Sequence, residues 1–148
     1  MEKKIVKATF GLGCFWEPDV SFSKLPGVLE TVVGYSGGDM PNPSYENVCG
    51  GDTGHTEVVE VHYDPLVISY EKLLEHFWEA HSPVLQEKTQ YRSVIFYHND
   101  EQKKAAEKSK EAVEKKLGKK VLTKILSAEP FWRAEEYHQK YLTKISKS

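Results

Sequence analysis

Lys3-Lys-Ile-Val-Lys-Ala-Thr-Phe-Gly-Leu-Gly-Cys-Phe-Trp16 contains the join on which the fold turns. Residues 3–10 alternate toward a strand, with Ile5, Val6, Ala8 and Phe10 as its apolar members. Gly11-Leu-Gly13 then breaks the strand, and Cys14-Phe-Trp16 opens a new element. The spacing of Val20, Phe22 and Leu25 suits a helix, which Pro26-Gly27 stops. A strand feeding a helix through a glycine break is the first half of a βαβ unit.

Outward from that join the pattern continues. Val28 to Tyr35 is rich in β-branched residues and predicts a strand. Residues 36–54 predict a long loop, and a loop of that length inside a compact domain is functional or disordered. Glu57 to Tyr63 alternates as a strand, with Val59 and Val61 on one face and Val58 and Glu60 on the other; Asp64-Pro65 ends it. Ser69 caps a helix whose apolar face carries Leu73, Leu74, Phe77 and Trp78, and Ser82-Pro83 closes it. Tyr91 to Tyr97 predicts another strand. Asn99 or Asp100 caps a long helix that ends at Leu117-Gly118. Val121 to Leu126 predicts a short strand and Glu135 to Leu142 a last helix. The order β-α-β-β-α-β-α-β-α implies an α+β two-layer sandwich with a ferredoxin-like βαββαβ core and additional C-terminal elements.

The whole chain limits the function classes. Its 148 residues suit one domain, expected to span 1–148. Composition is ordinary for a soluble protein, at 39% hydrophobic and 28% charged. A formal charge of −2 gives no bulk attraction to nucleic acid or to an acidic membrane, so neither is expected as a partner. No apolar run is long enough to span a bilayer, and the start lacks the apolar segment of an export signal. Cytoplasmic placement is therefore expected, with Cys14 and Cys49 reduced. Two cysteines make a poor disulfide framework, and no histidine or cysteine spacing suggests a metal site.

Cys14 stands where a helix should begin, and free N–H groups at a helix start favour thiolate, the nucleophilic form. The segment is not a dinucleotide fingerprint, because Trp16 occupies the third glycine position. Phe15 and Trp16 could wall a small apolar pocket or simply pack in the core. By the residues alone, Glu57 reads as an exposed strand-end charge and Tyr45 as ordering a proline-rich turn. Tyr91 reads as a half-buried strand residue and Cys49 as a small buried hydrophobe. A cysteine hydrolase with His55 as base and a ferredoxin-like RNA-binding module are the competing classes.

Gly13-Cys-Phe-Trp16 resembles the signature of the methionine sulfoxide reductase A family. The resemblance continues through Leu25-Pro-Gly-Val28, Gly34-Tyr-Ser-Gly-Gly38, Pro41-Asn-Pro-Ser-Tyr45, Val48-Cys49 and Asp52-Thr-Gly-His-Thr-Glu57. Tyr63-Asp-Pro65, Phe77-Trp78, His81, Thr89-Gln-Tyr-Arg-Ser93 and Ala134-Glu-Glu-Tyr-His-Gln139 follow in order. It implies reduction of methionine S-sulfoxide, free or in oxidised protein, through a sulfenic acid on the nucleophile Cys14. It implies Glu57 as the acid, Tyr45 and Tyr91 as hydrogen-bond donors to the sulfoxide oxygen, and Phe15 and Trp16 as the methyl pocket. Reducing equivalents would come from an external thiol: thioredoxin, glutaredoxin with glutathione, or a dithiothreitol-like compound. No flavin, nicotinamide or metal is called for.

Three departures accompany the resemblance. The chain has no cysteine after Cys49, so the usual resolving thiols of a C-terminal tail are missing; an external thiol or Cys49 must take their place. The segment between His81 and Thr89 is short and lacks the aspartate implied to help bind substrate, leaving Glu87 as its acidic residue. Glu17-Pro18-Asp19 replaces a more usual Gly-Val-Glu-like stretch, and its acidic side chains are expected to point away from the thiolate.

Overall fold

In the computed structural model, which describes residues 5–51, 53–85 and 88–141, six strands form one sheet in the order β5-β4-β1-β3-β2-β6. The strands are β1 (Val6–Leu12), β2 (Val28–Ser36), β3 (Thr56–Tyr63), β4 (Ser93–Tyr97), β5 (Lys124–Ser127) and β6 (Trp132–Arg133). The helices are α1 (Trp16–Ser23), α2 (Tyr45–Cys49), α3 (Tyr70–Glu79) and α4 (Asp100–Leu117). Two 3-10 turns complete the set, at Thr89–Tyr91 and Glu136–His138. β1 pairs antiparallel with β3 and β4, β2 pairs antiparallel with β3 and β6, and β5 alone lies parallel, against β4.

Alternation along the strands sends one row of side chains toward the helices. Ala8, Phe10 and Leu12 of β1 join Val59, Val61 and Tyr63 of β3 in the main core. Phe10 stacks on Phe22 of α1 and on Phe77 of α3, each with ring centroids 5.3 Å apart. Helix α3 forms where the sequence places it: the Ser69 side chain accepts from Lys72 N, and Tyr70, Leu73, Leu74 and Phe77 are buried. Asn99 caps α4 through Gln102 N, and Gly118 ends that helix in the left-handed conformation at φ 71°.

The opposite face of the sheet carries a smaller cluster of Val58, Val94 and Phe96, covered by Ala128 and Phe131. Chain leaving β5 at one edge thus crosses beneath the sheet to reach β6 at the other. Beside it that face carries polar pairs: Thr9 bonds His98 at 2.8 Å, and Glu60 bonds His62 at 2.7 Å.

Several expectations need correction. The loop predicted for 36–54 contains α2, where Ser44 and Asn47 cap each other's backbone and Val48 is buried. The first strand starts at Val6 rather than residue 3, and residues 1–4 lie outside the described ones. Tyr91 belongs to a 3-10 turn, and β4 begins only at Ser93. The strand predicted from Val121 starts at Lys124, because Leu122 N is taken by Pro83 O and Thr123 bonds Ser93. Over its described part the last predicted helix is reduced to the 3-10 turn Glu136–His138, and α-helical backbone appears only at Tyr141. Its polar side chains bond other segments instead: the Gln139 amide accepts from Val33 N and donates to Val33 O, acting as a length of strand beside β2.

Candidate active site

β1 and β2 end, and β3 and β4 begin, at the same end of the sheet. Tyr35 lies opposite Glu57 in the β2–β3 ladder, and Leu12 opposite Ser93 in the β1–β4 ladder. Chain turning at this end delivers most of the candidate site residues. Gly13 makes the first turn at φ 103°, a conformation costly for any residue with a Cβ. Cys14 follows it, exposed, and Phe15 and Trp16 lead into α1.

Glu57 shares its face of β3 with Val59 and Val61 and is only 1% exposed. The exposed strand-end charge expected from its residue type is therefore absent. Both carboxylate oxygens are held: Oε1 accepts from Phe15 N at 3.3 Å, and Oε2 accepts from Gln90 Nε2. Burial pushes the carboxyl up to about 6, against the opposing pull of those two donors.

The Cys14 thiol is pushed up from its ordinary range, chiefly by burial. The Trp16 N–H favours the thiolate, and the charges of Glu57 and Glu17 oppose it. This reverses the expectation that the helix start would lower the thiol. α1 begins only at Trp16, and one backbone donor does not outweigh the packing around the sulfur. Asp19 points away as expected, buried against Thr31 and Lys140 at 2.7 and 2.8 Å. Glu17 is exposed, and its charge is still felt at the thiol.

Tyr45 opens α2 and Tyr91 closes the turn after Lys88; both are half-buried. The two hydroxyls influence each other electrostatically, and burial pushes both up, so both stay protonated as donors. Cys49 is exposed rather than a buried hydrophobe. Its sulfur accepts from Gln90 Nε2 at 3.3 Å, and its nearness helps to raise the Tyr45 hydroxyl.

Cys14, Phe15, Glu57, Tyr45, Tyr91 and Cys49 are thus joined in one constellation. Trp16 adjoins it through His138, and with Cys14 it lines a groove of about 450 Å³ together with Leu12, Pro18 and His76. His55, the base required by a cysteine hydrolase, is committed elsewhere: it takes Gly38 N at 3.1 Å and Met40 O at 2.7 Å. It ties two loops that approach so closely that a Cβ on Gly38 would lie 2.3 Å from Thr53 O. Glu87 lies outside the described residues. Among the described residues, no three His, Cys, Asp or Glu side chains converge as a metal site.

Other residues of the site were not singled out by the sequence. Gln90 bridges Glu57 and Cys49. Glu135 accepts from Tyr35 OH at 2.9 Å and from Tyr45 N at 3.0 Å. His138 Nδ1 accepts from Trp16 Nε1 at 2.9 Å, and its ring packs on Phe15 and Tyr45. Tyr141 stacks on Trp16 with centroids 3.9 Å apart. Gln90, Glu135 and His138 sit inside recognisable motifs, but a linear motif does not say which distant group each one grips.

A family profile described as peptide methionine sulfoxide reductase matches residues 6–148. The peptide methionine sulfoxide reductase MsrA of Methanoculleus marisnigri is 50% identical over 151 residues, covering 97% of this chain and 92% of that protein. The crystal structure of Mxr1 from Saccharomyces cerevisiae in reduced form superposes with a TM-score of 0.91 at 37% identity, covering 98% of this chain and 88% of that one. The structure of the same yeast protein in complex with Trx2 gives a TM-score of 0.70 at 25% identity, over 95% and 89% of the two chains.

Proposed function

The chain belongs to the peptide methionine sulfoxide reductase family, and from that premise we propose how its side chains share the work. It is an oxidoreductase that reduces methionine S-sulfoxide to methionine and so repairs oxidised protein. In our reading the Cys14 thiolate attacks the sulfoxide sulfur, and Glu57 gives its proton to the sulfoxide oxygen. Tyr45 and Tyr91 donate hydrogen bonds to that oxygen, while Phe15 and Trp16 enclose the methyl group. The sulfur–oxygen bond of the substrate breaks, and two electrons pass from the Cys14 sulfur to the substrate sulfur. Oxygen ends on Cys14 as a sulfenic acid, and methionine leaves.

One observation carries this assignment: a carboxyl that is 1% exposed and raised to about 6 lies within the electrostatic reach of Cys14. The rise of the carboxyl narrows, without closing, its gap to a thiol that is itself raised above its ordinary range. Moving one proton from Cys14 to Glu57 yields the nucleophile and the acid together, without changing net charge.

The sulfenic acid then condenses with a thioredoxin-type thiol, forming a disulfide and releasing water; a second thiol frees Cys14. The yeast relative's complex with Trx2 supports this class of reductant. A glutaredoxin–glutathione couple or dithiothreitol would supply the same chemistry. Electrons come from thiols, so the scheme needs no flavin, nicotinamide or metal. We place the enzyme in the cytoplasm, where such thiols are kept reduced; no helix among the described residues is long and apolar enough to cross a membrane. Its substrates are oxidised proteins or free methionine sulfoxide. We also take residues 1–148 as one domain with a ferredoxin-like core, a reading supported by the antiparallel order β4-β1-β3-β2.

A second reading of the resolving step is favoured by Tyr91, whose ionisation is opposed by charge on both Cys14 and Cys49. Both thiols therefore lie within electrostatic reach of one tyrosine, and Cys49 is the candidate internal resolver. A single turnover without added reductant separates the two routes. One remaining thiol and one added oxygen in the intact mass mark the external route; loss of both thiols marks a Cys14–Cys49 disulfide. The reductase assignment itself is tested by Cys14→Ser. No methionine should form from the S-sulfoxide, and full turnover in that variant would sink the proposal.

A further inference from the structure

Gln90 is 6% exposed and sits at the centre of the turn Thr89–Tyr91. Its single amide nitrogen reaches two acceptors, Glu57 Oε2 and, at 3.3 Å, Cys49 Sγ. An amide nitrogen carries two hydrogens, so these acceptors use both. They also fix which way the amide points, because a flipped amide would set its carbonyl oxygen against a carboxylate oxygen and a sulfur. Glu57 is clamped in turn from both sides, by Gln90 at Oε2 and by Phe15 N at Oε1.

We propose that Gln90 is a positioning residue of the reductase site: its amide holds the Glu57 carboxyl beside Cys14, and Cys49 holds the amide. This rests on the reading of Glu57 as the acid. It also gives Cys49 a role in the first half-reaction, before any sulfenic acid exists. The thiol orients the group that orients the acid.

An N–H donor favours the charged carboxylate, so removing it must raise the pH at which Glu57 loses its proton. Methionine at position 90 keeps the length of the side chain and removes both donors. A hydrogen bond to a charged group corresponds to an upward shift of about one pH unit. The titratable groups facing Glu57 are Cys14 after β1, Tyr35 of β2, Tyr45 of α2 and Tyr91 beside Gln90. All four are pushed up from their ordinary ranges and stay protonated near pH 6. His138, packed against Phe15, is pushed down by burial and is resolved separately by its ring signals.

The test uses the full chain, reduced, with 13C-labelled glutamate carboxyls followed by NMR, alongside the pH profile of kcat/KM for methionine S-sulfoxide. The Glu57 midpoint is expected at about 6 in the native protein. In Gln90→Met the midpoint and the acid-side break of the profile should both rise by about one unit, and kcat should fall about tenfold with little change in KM. Cys49→Ala should move the midpoint the same way by less, and Cys49→Ser should restore it. A midpoint that stays in place in a folded Gln90→Met protein overturns the proposal, as does a Cys49→Ala midpoint identical to the native one. Failure of the underlying reading is distinguishable. Full activity in Glu57→Gln would remove Glu57 as the acid, while the NMR midpoints would still report whether Gln90 grips the carboxyl.

Discussion

Cys14 and Glu57 leave the ends of β1 and β3, neighbouring strands in the middle of the sheet. Gln90, Glu135 and His138, which hold the site residues in place, come from two 3-10 turns and the chain beside them. Glu57 thus stands on the sheet itself and Cys14 one turn beyond it, while their supports stand on short 3-10 turns. The difference shows in what each region asks of its side chains. Sheet positions need only the correct face, and the two-residue period supplies it. Turn positions need a particular donor or acceptor at a particular distance, and no period encodes that. Reactivity should therefore fail most sharply at the strand ends, and by degrees at the supports.

Glu57→Gln strikes the strand side hardest. Losing a general acid should lower kcat about 10²–10⁴-fold, with sulfoxide binding retained. The same variant should change stability in a pH-dependent way. Glu57 is raised in the folded protein from 4.5 to about 6. Its contribution is fully present below pH 4.5 and is lost as pH rises through 6. Above that pH the folded protein carries a buried, partly compensated charge at a cost of about 2 kcal/mol. Relative to native protein, Glu57→Gln should gain stability between pH 4.5 and 8, read as a growing difference in Tm. A constant difference across that range would mean that Glu57 is not held above its ordinary value. The acid would then be an expense of function borne by the fold.

How much of this was legible depends on which physical rule placed each residue. Periodicity marks β1 through β4 and α3, whose burial follows their own pattern of apolar residues, whereas α1 and α4 are marked more by their ends, since α1 buries Asp19 and α4 buries Gln102. It also held an unread signal for Glu57, which stands two residues before Val59 in the row that faces the core. The residue type argued for an exposed charge; the row argued for burial, and the row prevailed. The C-terminal segment carries a helical pattern that it largely does not adopt, because Glu135, His138 and Gln139 spend their hydrogen-bonding groups on β2, α1 and α2, contacts that a local pattern does not contain. Helix α2 was missed for a different reason. Five residues are too few to show a period, although the pairing of Ser44 with Asn47 marked its start.

Glu135→Ala moves the comparison to the support side. The substitution leaves the Tyr35 hydroxyl and the Tyr45 N–H without their acceptor. Leaving such groups unsatisfied should cost about 1–3 kcal/mol of stability. Tyr45 would then be less well aimed at the sulfoxide oxygen, and kcat/KM should fall about tenfold, equivalent to about 1.4 kcal/mol. The alkylation rate of Cys14 should stay close to native, since Glu135 is not among the groups acting on that thiol. A large change in alkylation rate would erase the division between reacting strand ends and supporting turns.

The smallest effect belongs to Ser44→Ala, and it asks whether local or distant contacts hold Tyr45. Ser44 Oγ accepts from Asn47 N at 3.1 Å, and Asn47 Oδ1 accepts from Ser44 N at 3.0 Å. Removing this cap should cost about 1 kcal/mol, a large share of what a single turn can supply for itself. Amide exchange at Asn47 and Val48 should speed up accordingly. Tyr45, however, is also held from outside its helix: Glu135 takes its N–H, and the His138 ring lies 4.4 Å from its own. If the supports dominate, as their placement implies, α2 loosens while kcat falls by no more than about threefold, well under 1 kcal/mol. A tenfold loss of kcat in Ser44→Ala would instead make the cap of a five-residue helix as important to Tyr45 as the whole C-terminal segment that wraps it.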